Sequence, residues 1–186
     1  MPTEYRIRPI TADDYHRMAG VGIFEPDERV ELLDGELIAM PPVGIKHAFA
    51  VRRLNAIFQR RFADRAIVDS QSPLALDVYS EPQPDVMLLG PRDDWYGTAL
   101  PEPADVLLVV EVSESTLRYD RGPKLRAYAR AGIAELWIVD LVEGRIERFC
   151  EPAGETYARR QLFARGTALA PTAFPADPIE VEALLP

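Results

Sequence analysis

Val106-Leu107-Leu108-Val109-Val110-Glu111-Val112 is a nearly unbroken run of aliphatic and β-branched side chains. A run of this length and make-up is a strand buried on both faces, which places it at the centre of a sheet rather than at an edge. Ser113–Thr116 leaves the strand, and a helix is expected to begin near Pro123, because proline suits a first helical position. That helix carries Leu125, Tyr128 and Ala129 and stops at Gly132. Leu136-Trp137-Ile138-Val139-Asp140 is the next strand. A strand, a helix and a second strand within residues 106–140 predict a crossover between two parallel neighbours.

Upstream, Thr11-Ala12-Asp13-Asp14 has the form of a helix N-cap, and the helix it opens ends at Gly20. Asp34-Gly35 sits between the apolar runs Arg29–Leu33 and Glu36–Met40, a strong hairpin signal, and Pro41-Pro42 ends the second strand. From Ile45 to about Phe62, Val51, Leu54, Ile57, Phe58 and Phe62 recur at helical intervals. Strands are expected at Ala66–Ser70, Leu74–Val78 and Asp85–Leu89, and residues 90–105 form a long loop that carries Trp95. Downstream, Gly144–Phe149 is expected to pair back on the 136–140 strand, and Tyr157–Phe163 alternates as one more antiparallel strand. The proline-punctuated tail is expected to pack loosely. The sum is a mixed α/β sheet, mostly antiparallel, with one crossover and helices on its faces. One domain over residues 1–186 is expected, its core at about 10–142 and C-terminal strands and tail at 143–186.

Composition narrows the class of function. The chain has 186 residues, 47% hydrophobic and 27% charged, enough for a real core. No apolar run has the length of a bilayer span, so no membrane partner is expected. The start, Met1-Pro2-Thr3-Glu4, has no export signal, and a cytoplasmic location follows as the expectation. A single cysteine, Cys150, excludes an internal disulfide and a multi-cysteine zinc site. The net charge of −9 argues against a phosphate-rich partner, but the charge is uneven. Lys46, Arg52, Arg53, Arg60, Arg61 and Arg65 face only Asp64 over residues 44–65, and a second basic stretch spans residues 118–130. These are either solvated helix faces or two basic helices flanking an acidic site.

Two carboxylates stand out by their setting. Asp85 opens an apolar strand directly after Pro84, and Glu111 lies where every neighbour belongs in the core. A buried glutamate costs several kcal/mol of desolvation (about 2–7 for even a polar group) unless it is paired or holds a cation. Glu111 therefore either meets a basic side chain, reaches water at the strand end, or binds metal. Together, two carboxylates at the ends of adjacent strands form a hard-oxygen site suited to Mg²⁺ or Mn²⁺. Lys124 at the start of the next helix is the candidate positive group, Tyr128 shares its face, and Asp120 precedes the helix as a cap.

Pro84-Asp85, Val110-Glu111-Val112-Ser113, Asp120, Lys124, Tyr128 and Glu135–Asp140, in that order, resemble the Uma-type family of restriction-endonuclease-like proteins in the PD-(D/E)XK nuclease superfamily. Glu31, Asp34-Gly35, Pro41-Pro42 and His47 extend the resemblance over about residues 10–142. It implies a nuclease-like core and divalent-metal hydrolysis of nucleic-acid phosphodiesters, DNA foremost. It assigns Asp85 and Glu111 to the metal, with Glu31 completing the acidic cluster and His47 near the water or phosphate. The superfamily's lysine, two positions after the acid, is Ser113 here; the family's lysine comes from the following helix, as Lys124. Cutting both strands of a duplex would suit a homodimer. Two other functions fit the same residues: an inactive binding module that keeps the fold, and a metal-dependent hydrolase of RNA or nucleotides.

Overall fold

A computed structural model describes residues 6–186. The expectation drawn from Met1–Glu4 lies outside the described residues. Helix α1 (Ala12–Gly20) opens on a capping box between Thr11 and Asp14. Strands β1 (Val30–Leu33) and β2 (Glu36–Ala39) pair antiparallel as a separate hairpin. Asp34 and Gly35 both have positive φ, the conformation a two-residue turn requires. A Cβ at Gly35 would collide with Pro9, so glycine is needed there twice over. Helix α2 (Ile45–Phe62) follows, then β3 (Ile67–Asp69) and β4 (Val86–Leu89).

Strand β5 (Val106–Ser113) is the central strand, as its composition requires. It is followed by α3 (Leu117–Tyr119), a π turn over Asp120–Lys124, α4 (Leu125–Arg130) and β6 (Glu135–Asp140). Strands β7 (Arg145–Ala153) and β8 (Thr156–Ala164) complete a six-stranded sheet in the order β3-β4-β5-β6-β7-β8. Only β5 and β6 are parallel, and the helical segment between them is the crossover.

The sheet divides the core in two. Val86 and Leu88, then Leu108, Val110 and Val112, then Trp137 and Val139 face α2. Their alternates, Met87 and Leu89, Val109, Leu136 and Ile138, face α4. Period-two alternation sends Glu111 and Ser113 to the α4 side with Val109.

Three expectations fail. Leu74–Val78 is not a strand: Leu74 and Ala75 donate their backbone N–H groups to the carbonyls of Pro82 and Pro101, and Leu76 closes a tight turn on Ser80. The crossover helix starts six residues before Pro123, and that proline lies inside the helical run. The tail is not loose. Strands β9 (Ala168–Leu169) and β10 (Ile179–Glu180) and helix α5 (Val181–Leu184) bury Leu169, Ile179, Val181, Leu184 and Leu185 against α2. Arg61 donates to the carbonyl of Pro178 at 3.1 Å, Arg65 pairs with Asp177 at 2.8 Å, and Arg53 donates to the carbonyl of Ala183. Residues 90–102 form a loop as expected, with Trp95 exposed and in the left-handed region, and a 3-10 turn over Pro103–Asp105 leads into β5. No helix among the described residues is long and apolar enough to cross a membrane.

Candidate active site

The outlying hairpin, the start of α2, the ends of β4 and β5 and the crossover helix converge on one cleft of about 50 Å³. Asp85, Glu111, Asp120, Lys124 and His47 all line it. Asp85 lies just before β4 rather than within it, and Glu111 lies inside β5, two residues from its end.

Each carboxylate is held through one oxygen. Asp85 Oδ2 accepts from the Val112 backbone N–H at 2.8 Å and bonds His47 Nε2 at 3.0 Å. Glu111 Oε1 accepts from Lys124 Nζ at 3.0 Å and from the Tyr128 hydroxyl at 2.5 Å. Among the described residues, Asp85 Oδ1 and Glu111 Oε2 take no hydrogen bond from protein. Lys124 is 1% exposed and shares its ammonium between Glu111 and Glu31, the latter at 3.3 Å. Tyr119 donates to Glu31 Oε1 at 2.8 Å and the Gln83 backbone N–H to its Oε2 at 3.0 Å. Ser113 does not meet Glu111. Its hydroxyl and that of Thr116 both donate to Asp120 Oδ2 at 2.6 Å, which fixes the entry to the crossover helix.

The local shape of that helix explains the lysine's reach. Pro123 has no N–H to give a regular helix, and the π turn around it accommodates the gap. Leu125 N–H bonds back to Asp120, and the run continues into α4 with Lys124 and Tyr128 both turned to Glu111.

Charge balance in the cluster is uneven. Glu31, Asp85, Glu111 and Asp120 are answered by Lys124 and His47. Burial pushes Glu111 up to about 8; the ammonium of Lys124 pulls the other way, and the charges of Asp120, Asp85 and Glu31 add to the rise. Burial alone would lower Lys124, but the carboxylates of Glu111, Glu31, Asp120 and Asp85 outweigh it, so the lysine stays charged and is raised. Burial likewise raises Asp120 against the pull of Lys124 and its two hydroxyl bonds. Tyr128 is raised well above its ordinary value by burial and then by Glu111. For His47, burial pulls down, but the bond to Asp85 and its charge prevail and raise it.

A divalent cation fits this donor set. Mg²⁺ is commonly held by one or two carboxylates and completes its shell with water and substrate oxygens. Asp85 and Glu111 each offer a free oxygen at a cleft roomy enough for an ion and part of its water shell. His47 Nδ1 is buried without a partner, an unsatisfied polar atom beside the carboxylates. No three His, Cys, Asp or Glu side chains among the described residues form a ready-made cage. Glu31 accordingly differs from the expectation for it: it lies behind Lys124 with both oxygens occupied and does not line the cleft.

Three contributors were missed by sequence reasoning. Tyr119 and Gln83 hold Glu31, the first through a side chain one turn before Lys124, the second through a backbone group that no residue type advertises. Arg29 also lines the cleft, and it was read only as the start of a strand.

A solved structure shares this architecture. It is described as a putative nuclease belonging to DUF820 from Anabaena variabilis, and the match has a TM-score of 0.71 at 14% identity. It covers 95% of this chain and 97% of that one, and at this identity it shows a common fold. No curated protein matches. The sequence model of the Uma2 family, described as "Putative restriction endonuclease", matches residues 12–181 and so takes in every element of the cleft. The chain belongs to the Uma2 family, within the restriction-endonuclease-like fold.

Proposed function

We propose that this chain is a divalent-metal-dependent endonuclease that hydrolyses nucleic-acid phosphodiesters, DNA foremost. The observation that carries the reading is the meeting of Asp85 and Glu111, each with one oxygen free, with a lysine 3.0 Å from Glu111 at a cleft open to solvent. The family description and the fold-mate's description as a nuclease support the same reaction class. Bound Mg²⁺ or Mn²⁺ would supply Lewis acidity and lower the pKa of water.

The chain's own residues do the rest. The Val112 N–H and His47 fix Asp85 so that Oδ1 is presented. Tyr128 and Lys124 fix Glu111 in the same way through Oε1. Lys124, charged and held from behind by Glu31, would supply a positive group at the wall of the cleft that takes the phosphate. His47 holds a proton at Nε2 toward Asp85, while its Nδ1 is buried with no protein partner. Two copies acting as a homodimer would bring two such clefts to the two strands of a duplex.

Supercoiled plasmid with Mn²⁺ or Mg²⁺ tests the reaction. Nicking by the wild type, lost in Asp85→Ala/Glu111→Ala and on chelation, is the expected result; cutting by the double variant overturns the assignment. A second reading is favoured by one observation: Arg65, Arg121, Arg130, Arg145 and Arg160 are tied to acids of the chain itself. Those arginines are unavailable to phosphate, which suits a binding module. Calorimetric titration showing no Mn²⁺ uptake, with no cleavage, would put that reading first.

A further inference from the structure

Helix α2 carries no acidic residue over its 18 residues, in a chain whose net charge is −9. Its buried face is Ala50, Val51, Leu54, Phe58 and Phe62. At 100° per residue the opposite face presents Phe49, Arg52, Arg53, Ala56 and Arg60, with Lys46 at its flank. The charge on this face is not neutralised within the protein. Arg53 donates only to a neutral carbonyl, and Lys46, Arg52 and Arg60 form no ion pair with any described residue. Glu180 borders the groove beside Arg53 and Arg60 but stands outside ion-pairing distance of both. In the crossover helix only Arg118 and Arg126 are left free in this way, since Arg121 and Arg130 are spent on Asp140, Glu147, Asp34 and Glu155.

The position of the helix gives the charge a direction. Its first turn holds His47, and Gly44 precedes it; both line the cleft, as does Arg29, which also makes no ion pair. Eighteen residues at ~1.5 Å each extend about 27 Å from the cleft. At ~3.4 Å per step that is about eight base pairs of duplex backbone. An acidic protein segment would meet the same charges, but the stripe begins at a carboxylate cluster with free oxygens, where a phosphate can share a cation and a peptide carboxylate gains nothing specific. Trp95 is not part of the stripe, since Asp64 and Asp93 border it.

We propose that the outer face of α2, with Arg29 at its cleft end, is the track on which the backbone of duplex nucleic acid docks. This rests on the nuclease reading for its partner, but its geometry is independent of the metal.

The test is fluorescence anisotropy of a labelled 20-base-pair DNA duplex with the full chain in excess chelator, so that binding is read without cleavage. Arg52→Glu/Arg60→Glu should weaken binding about tenfold or more at low salt. It should also flatten the slope of log affinity against log salt by about 2, at about 0.9 per lost phosphate contact. Arg126→Glu/Arg159→Glu, an equal change of charge at exposed positions elsewhere, should bind within about twofold of the wild type. Equal weakening by both pairs would reduce the effect to total charge and overturn the track. So would no binding by the wild type at low salt, or displacement of the duplex by polyglutamate as effective as by unlabelled DNA at equal charge. Failure of the nuclease reading looks different: Asp85→Ala/Glu111→Ala cuts as the wild type does, while the loss of duplex binding by Arg52→Glu/Arg60→Glu in chelator still stands.

Discussion

Lys124 is the residue on which the cleft depends. It is buried, and its carboxylate partners are buried with it, so their desolvation has already been met in the folded state. Removing one member of such a cluster leaves uncompensated charge, which costs about 3–5 kcal/mol. Lys124→Met should lose stability in that range by urea denaturation. Glu111→Gln/Lys124→Met should recover part of it, and a cycle with no coupling between the two would show that they do not interact. Glu111 also gives a pH signature. Its folded-state value of about 8 lies above the ordinary carboxylate value, so the protonated form is favoured by folding. The stability this gives is complete below the unfolded value and is lost as pH rises through 8. Thermal melts in chelator should therefore fall between about pH 5 and pH 9 in the wild type and fall less in Glu111→Gln, which has no proton to lose.

At the scale of the element, the crossover helix holds the contrast between what the chain's pattern revealed and what it hid. Its direction, its flanking strands and the facing of Lys124 and Tyr128 were readable, because an unbroken aliphatic strand followed by a helical period allows few arrangements. The start was misread because Pro123 was assigned to a first helical turn, whereas a π turn also has a position that needs no N–H. Pro123→Ala tests this. In a regular helix interior that change would stabilise by ~3 kcal/mol; here it should shift the urea midpoint by less than about 1 kcal/mol equivalent and preserve the metal affinity. Leu74–Val78 was misread for a related reason. A strand-like run identified an extended segment, but ladder pairing needs a neighbour, and the N–H groups of Leu74 and Ala75 are taken by loop carbonyls. The site shows the same limit. Asp85 and Glu111 were visible as carboxylates in unusual settings and Lys124 as the positive group on the next helix, while the grip of Gln83 on Glu31 is a backbone contact between segments 52 positions apart.

Across the whole molecule, the C-terminal tail closes the half of the core that α2 begins. Prolines suggested a loose end, yet between them Leu169, Ile179, Val181, Leu184 and Leu185 are buried at long and uneven intervals that no secondary-structure period reveals. Each such side chain contributes about 1.5–3 kcal/mol on burial. The tail is also stitched to the end of α2: Arg65, just beyond it, pairs with Asp177 and lies 4.8 Å from the Phe174 ring, which stacks on Phe62 at 4.8 Å. The helix held in this way is the one whose first turn carries His47 to Asp85, so one helix joins the tail to the cleft. Leu184→Ala, at a site with no exposure, should lose about 2–5 kcal/mol in urea denaturation and, at low temperature where the fold persists, keep its affinity for Mn²⁺. Truncation after Thr167 removes all five buried side chains, and the remaining chain should bind a hydrophobic dye and lose its cooperative melt. A truncated chain that melts cooperatively near the wild-type midpoint would show that α2 is anchored by the sheet alone. The tail would then be an accessory to the fold, and the link from tail to His47 would fall with it.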